Sequence, residues 1–147
     1  MFNKMVHAAD GLLISDNGKI VLILRKGETF HDFWALPGGA VEEDETIEEA
    51  LIREMKEETG VKVKPKEILG IFSDPDRDPR GRVISTVFIC NYEGILKAGS
   101  DAGRIITCTI EEALNMQLAF DHHFILQCYQ QWLKQKGTFW SKKLLRH

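Results

Sequence analysis

The feature that most restricts this chain is the stretch Thr46 to Gly60, TIEEALIREMKEETG. Thr46 is a good helix N-cap, and Glu49, three residues on, completes a capping box. The run Ile47 to Thr59 contains no Gly or Pro, and Gly60 stands where a left-handed C-cap is wanted. The spacing therefore predicts a helix of about 13 residues, three to four turns. Ile47, Leu51, Glu54 and Glu58 follow an i, i+4, i+7, i+11 progression and share one face, with Glu57 beside it. Carboxylates at the edge of an apolar stripe repel one another and lose hydration, at a cost of several kcal/mol per ion. Arg53 points about 100° away from Glu54 on a helix and is expected to neutralise one acid, not three. Hard divalent cations with oxygen ligands suit such a cluster, and Mg²⁺ is the usual choice beside phosphate. A solvated acidic face is the plain alternative.

Spacing separates the two. Gly39, five residues, Glu45, seven residues, then REMKEETGV from Arg53 to Val61 meets the pattern G-x5-E-x7-R-E-U-x-E-E-x-G-U (U apolar) at all nine specified positions over 23 residues. This is the Nudix box, and the chain resembles a Nudix hydrolase. The lead-in FWALPGG, Phe33 to Gly39, matches as well. The resemblance runs from Val6 to about Leu133. It implies hydrolysis of a nucleoside diphosphate linked to another moiety, with Mg²⁺ or Mn²⁺ as cofactor. Carried over by position, Glu54, Glu57 and Glu58 are the expected metal ligands, with backbone oxygen near Gly38 as another. Arg53 is expected to orient the glutamates, and Glu45 to be its structural partner. The base is Glu54 in some relatives and a loop acid in others, for which Glu111 or Glu112 would serve here.

A second stretch, SDPDRDPRGR from Ser73 to Arg82, reads as a turn-rich loop. Three arginines among rigid prolines also make a guanidinium fork for phosphate. The segment resembles one in ADP-ribose pyrophosphatase-like Nudix proteins, as does LAFDH, Leu118 to His122. Together they favour ADP-ribose as substrate, cleaved to AMP and ribose 5-phosphate. Arg77, Arg80, Arg82, Arg25 and Trp34 are the candidate substrate contacts. Trp34 or Phe72 could stack on adenine, although core packing is the commoner role of such aromatics. Asp101-Ala102 matches a pair that relatives follow with an acid, and here Arg104 occupies that region. His122 and His123 read as surface or cap residues. The alternatives are a triphosphate-sanitising pyrophosphohydrolase and a non-catalytic sensor of ADP-ribose-type ligands.

The rest of the chain sets the frame. At 147 residues and 44% hydrophobic content, one domain with a real core is expected. The net charge of −3 argues against nucleic acid held by the protein's own field. Cys90, Cys108 and Cys128 read as buried thiols in a reducing compartment. With no signal pattern and no apolar run long enough to span a membrane, a cytoplasmic protein is expected. A small-molecule nucleotide is the expected partner, and the resemblance is compatible with a homodimer. Strands are expected at Val6–Ile14, Lys19–Arg25, Trp34–Leu36, Lys62–Phe72 (irregular at Pro65), Val83–Tyr92 and Ile105–Thr109. Asp16-Asn17-Gly18 marks a hairpin-type turn, Pro37-Gly38-Gly39 ends the third strand, and Ala98–Arg104 reads as a flexible connection. A helical turn is expected at Glu111–Asn115. A last helix is expected to be capped by Asp121, with Ile125, Cys128, Tyr129 and Trp132 inward, before a basic tail over 137–147. This is an α+β pattern. The resemblance sharpens it to an α/β/α sandwich with a mixed sheet between helices. Metal affinity should also rise with pH through the acid range, as the carboxyls ionise.

Overall fold

The structure, a computed structural model, describes residues 4–100 and 102–141. Strands β1 (Val6–Leu13), β2 (Ile20–Arg25), β3 (Trp34–Ala35) and β4 (Gly38–Ala40) precede helix α1 (Ile47–Thr59). Strands β5 (Lys62–Phe72), β6 (Val83–Glu93) and β7 (Ala102–Cys108) follow, then helices α2 (Ile110–Leu114) and α3 (His122–Lys134) and strand β8 (Phe139–Trp140). A five-stranded mixed sheet has the order β4-β1-β6-β5-β8, with β1 parallel to β6. A three-stranded antiparallel sheet, β3-β2-β7, stands beside it.

The period-2 rule explains how this layer is covered on both faces. On β6, Val87 and Ile89 join a core with Ile125, Leu126 and Tyr129 of α3, while Phe88 and Cys90 join another with Leu51 and Met55 of α1. On β1, Leu12 faces the first core and Ala9 and Leu13 the second. Helices thus lie on opposite faces of a mixed sheet, as expected. All three cysteines are buried free thiols.

Helix α1 has the predicted ends. Thr46 and Glu49 form the reciprocal box, and Gly60 closes the helix at φ 76°. Its buried residues are Ala50, Leu51, Met55 and Thr59, whereas Ile47 is 37% exposed. The Asp16-Asn17-Gly18 turn forms, but only Ile14 and Ile20 bridge across it before β1 and β2 enter different sheets. Three expectations need correction. The third strand does end before Pro37, but Gly38-Gly39 goes on to form a strand of its own, β4, paired antiparallel with β1. The segment read as a flexible connection is strand β7 from Ala102, zipped to β2. Asp121 precedes α3 without capping it through its side chain. Pro65 does mark a register shift in β5, and of the tail, Phe139–Trp140 pairs with β5. Asp101 and residues 142–147 lie outside the described residues. Among the described residues, no helix is long and apolar enough to cross a membrane.

Candidate active site

The β1–β4 pairing builds the floor of the site. Asp10 stands opposite Gly38, and Ala9 opposite Gly39. Alternation turns the two glycines to opposite faces. A Cβ on Gly39 would run into the Glu54 carboxylate of α1, and one on Gly38 into Asp10. The missing side chains are what let acids from a helix and a strand approach the same backbone. Gly39→Ala is therefore expected to push the Glu54 carboxylate aside and lower turnover at least tenfold, while α1 keeps its helicity by circular dichroism.

Arg53 organises this cluster more widely than helical angle alone suggests. Its Nε and Nη2 donate to the Glu45 carboxylate at 2.6 and 2.8 Å, and Nη1 donates to Glu54 Oε1 at 2.8 Å. Nη1 also reaches Glu57 at 3.3 Å, and Nη2 donates to the Ala40 carbonyl at 3.1 Å. Expecting Arg53 to serve one acid was wrong. A long guanidinium presents its donors as a fork and spans neighbours that the Cα vectors place apart. Its hydrogen bonds pull the Glu45 carboxyl down to about 2 and hold Arg53 above its usual range. Glu45 thus has the structural part expected of it.

Glu58 stands apart from the Arg53 network, with Arg25 the cation whose charge it feels. The Gly38 N–H donates to its Oε2 at 3.4 Å. Burial, followed by the charges of Glu54 and Asp10, raises its carboxyl to about 9. Asp10, buried at the cleft floor, is raised to about 6 by burial, partly offset by Arg77 and by the hydrogen bond from Ser85 Oγ. Glu57 is 57% exposed and turned toward Arg53. Among the described residues, no three acids, histidines or cysteines converge closely enough to hold a metal ion as they stand. The donor set nevertheless fits one. It consists of hard oxygens, and the buried pair Glu58 and Asp10 lacks the positive charge that would let both ionise.

A cleft of about 240 Å³ opens over this floor, and its lining includes Asp10, Gly38, Glu58, Arg25, Arg77 and Arg80. Each of the three loop arginines has a partner within the protein. Arg77, with a side chain only 3% exposed, holds Asp121 through two hydrogen bonds of 3.0 and 2.7 Å. Arg80 holds Asp78 at 3.1 and 2.9 Å. Arg82 donates to the Ser73 carbonyl and does not line the cleft. Arg25 and Arg80 lie over the ring of Phe120, at 4.8 and 5.7 Å. Phe120 itself has φ 54°, a conformation costly for an aromatic residue. Trp34 lies under Arg104, 5.7 Å from its guanidinium carbon, outside the cleft lining. Phe72 is fully buried in the core. Glu112 is spent on the α2 capping box, and neither it nor Glu111 lines the cleft.

Four residues were missed: Asp10, Asp78, Phe120 and His122. His122 is a buried cleft residue, not a surface cap, and its Nδ1 accepts the Leu36 N–H at 3.0 Å. Burial lowers its pKa to about 3, so the ring is neutral. Asp10 carried a signal, a lone acid in the otherwise apolar strand AADGLL.

The NUDIX domain model matches residues 5–128. An ADP-ribose pyrophosphatase of Methanocaldococcus jannaschii is 51% identical over 126 residues, covering 85% of this chain and 73% of that protein. A bifunctional NMN adenylyltransferase/ADP ribose pyrophosphatase of Francisella tularensis, solved with AMP and an Mn ion, is 29% identical with a TM-score of 0.74. That match covers 92% of this chain and 43% of that one. The NUDIX domain of Shewanella oneidensis NrtR, solved with ADP ribose, shares the fold at 24% identity and a TM-score of 0.78, covering 90% of each chain. With the box geometry, the sandwich and a match across most of its length in agreement, this chain belongs to the Nudix hydrolase family.

Proposed function

We propose that this chain hydrolyses ADP-ribose to AMP and ribose 5-phosphate, with Mg²⁺ or Mn²⁺ held by Glu54, Glu57, Glu58 and the Gly38 carbonyl. The observation that carries the substrate is the 51% identity to an ADP-ribose pyrophosphatase. The geometry supports the chemistry. Glu58 and Asp10 form a buried acid pair short of positive charge, and Glu54 is pinned beside them by Arg53. Bound there, a divalent cation would supply screening of the diphosphate and stabilisation of charge developing at phosphorus. The protein's own share is positional. Arg53 orders Glu54 and Glu57, and the two β4 glycines admit the acids to the backbone. Arg25 and Arg80 bring positive charge to the same cleft as Glu58. Glu111 and Glu112 do not line the cleft, and neither does Glu54. We take Glu54 as the base because α1 holds its carboxylate against the Gly39 backbone next to Glu58.

The test is a panel of ADP-ribose, NADH, sugar nucleotides and nucleoside triphosphates, each with Mg²⁺, with Mn²⁺ and with chelator. ADP-ribose is expected to have the highest kcat/KM, and chelator to abolish turnover. A triphosphate turned over faster than ADP-ribose would overturn the substrate. Tight ADP-ribose binding without turnover would make the chain a sensor.

A further inference from the structure

Glu57 and Glu58 stand on the last turn of α1, where a helix is least held, because its last four carbonyls have no partner within it. In this chain those carbonyls are met from outside. The Gly60 N–H donates to the Lys56 carbonyl at 3.1 Å. The other donors come from residues 94–100, the connection that leaves β6. The Gly99 N–H donates to the Glu58 carbonyl at 2.9 Å, and the Lys97 N–H to the Thr59 carbonyl at 2.8 Å. Gly99 also lies directly against the Glu57 carbonyl, into which a Cβ would run. Its φ is outside the left-handed region, so closeness and not backbone conformation is what asks for glycine there.

The connection is itself anchored on both sides. Leu96 packs on the core that holds Leu51 and Met55 of α1. Ala98 packs on Ile23, Ala35 and Ala102 of the smaller sheet. Ser100 lines a second cavity, of about 420 Å³, which also has Glu58 and Arg25 on its walls. Helix α1 rests on β1, β4 and β5 of the larger sheet, whereas Arg25 belongs to β2 of the smaller. Residues 94–100 therefore bridge the two layers where an acid of one meets a cation of the other. The bridge has an electrostatic side as well. The C-terminal end of a helix is partially negative and opposes acids placed on it, and N–H donors on its carbonyls reduce that opposition.

We propose that this connection is a clamp on the metal site, with Gly99 as its positioning residue. It holds the last turn of α1 so that Glu57 and Glu58 present their carboxylates at a fixed spacing. Gly99 acts through the Glu57 and Glu58 backbone and touches neither cation nor substrate. Without the clamp, two neighbouring acids on a loose turn would splay apart, and reordering them would weaken metal binding. The inference rests on the metal ligands proposed above and is independent of the substrate.

Mn²⁺ affinity, read from the electron paramagnetic resonance of the free ion, and Tm would be measured for wild type, Gly99→Ala and Gly70→Ala. Gly70→Ala is the matched control, because a Cβ there runs into the Phe139 backbone, the same kind of collision, outside both cavities. Gly99→Ala is expected to weaken Mn²⁺ binding by about tenfold. Gly70→Ala is expected to lower Tm and to leave Mn²⁺ affinity within about twofold of wild type. A second measurement needs no variant. Coupling between clamp and metal is reciprocal, so saturating Mg²⁺ should slow hydrogen exchange of the Lys97 and Gly99 amides at least about fivefold. The Gln135 amide, which closes α3 on the Gln131 carbonyl, should not respond. Wild-type Mn²⁺ affinity in Gly99→Ala, equal weakening in both variants, or Lys97 and Gly99 amides indifferent to Mg²⁺ would overturn the clamp. A wild type that binds no Mn²⁺ would sink the clamp and the metal ligands together. One that binds Mn²⁺ and shows the clamp as described, yet leaves ADP-ribose intact, would support the clamp and sink the substrate reading alone.

Discussion

Glu58→Gln is expected to lower ADP-ribose turnover by about 10²–10³-fold while making the metal-free protein more stable above neutral pH. The two effects share one cause. Glu58 is held near Glu54 and Asp10 with burial as the main influence on its proton, and its carboxyl is raised from 4.5 to about 9. Asp10 moves the same way, from 3.8 to about 6. For an acid whose folded pKa exceeds its unfolded one, the native state binds more protons between the two values, and stability falls as pH rises across that window. The metal-free protein should therefore lose stability from about pH 4 to about pH 9, with Asp10 contributing the lower part and Glu58 the upper. Part of Glu58 still faces the cleft, so solvent reduces the full linkage to a few kcal/mol at most. Glutamine keeps the shape, cannot ionise, and removes the Glu58 share. Thermal melts of wild type and variant in chelator, from pH 5 to 9, would check it. The curves should separate as pH rises, and saturating Mg²⁺ should close the gap by raising the wild type. Parallel curves at every pH would show that Glu58 ionises freely and that the acid cluster is solvated. The same shift extends the pH dependence of metal affinity. It should keep rising toward pH 9 and not level off once ordinary carboxyls have ionised.

What the sequence disclosed here, and what it withheld, follows the range of the interactions. The capping box of α1, the Gly60 terminus and the acids Glu54, Glu57 and Glu58 are set by neighbours within two or three turns, and spacing reveals them. Asp10 enters the site because β1 pairs with β4 across the glycines and because Ser85 reaches it from β6, 75 residues away in the chain. Nothing local specifies that register. His122 is similar. Its place at the start of α3 suggested a cap, but Leu36, 86 residues earlier, fixes its ring. The breadth of Arg53 was hidden for another reason. Helical projection locates Cα vectors, whereas a flexible stem decides where five N–H donors arrive. The loop arginines were legible as charge but not as partners. Asp121, read as a cap, is instead the counter-ion of Arg77, which still lines the cleft.

That exchange of roles makes Arg77→Ala the variant with the largest expected effect on folding. Burial opposes the Arg77 charge, but the hydrogen bonds and charge of Asp121, with Asp10 and Asp78 nearby, outweigh it and hold the guanidinium above its usual range. Removing it would strand Asp121 and strip Asp10 of its main charge compensation, leaving acids enclosed without a partner. Breaking a buried pair from one side costs about 3–5 kcal/mol. For a domain of this size that corresponds to a fall in Tm of roughly 10 °C or more. Asp121→Ala should cost a comparable amount, and the double variant less than the two combined, because each single change leaves an unpaired charge that the double does not. Arg77→Lys should recover only part of the loss, since a point charge cannot make both hydrogen bonds to the carboxylate. Denaturant unfolding of the four proteins gives the coupling directly. The opposite pattern, unchanged unfolding midpoints with a KM for ADP-ribose raised at least tenfold, would return Arg77 to the phosphate-binding part first read from the loop and leave Asp121 a spectator.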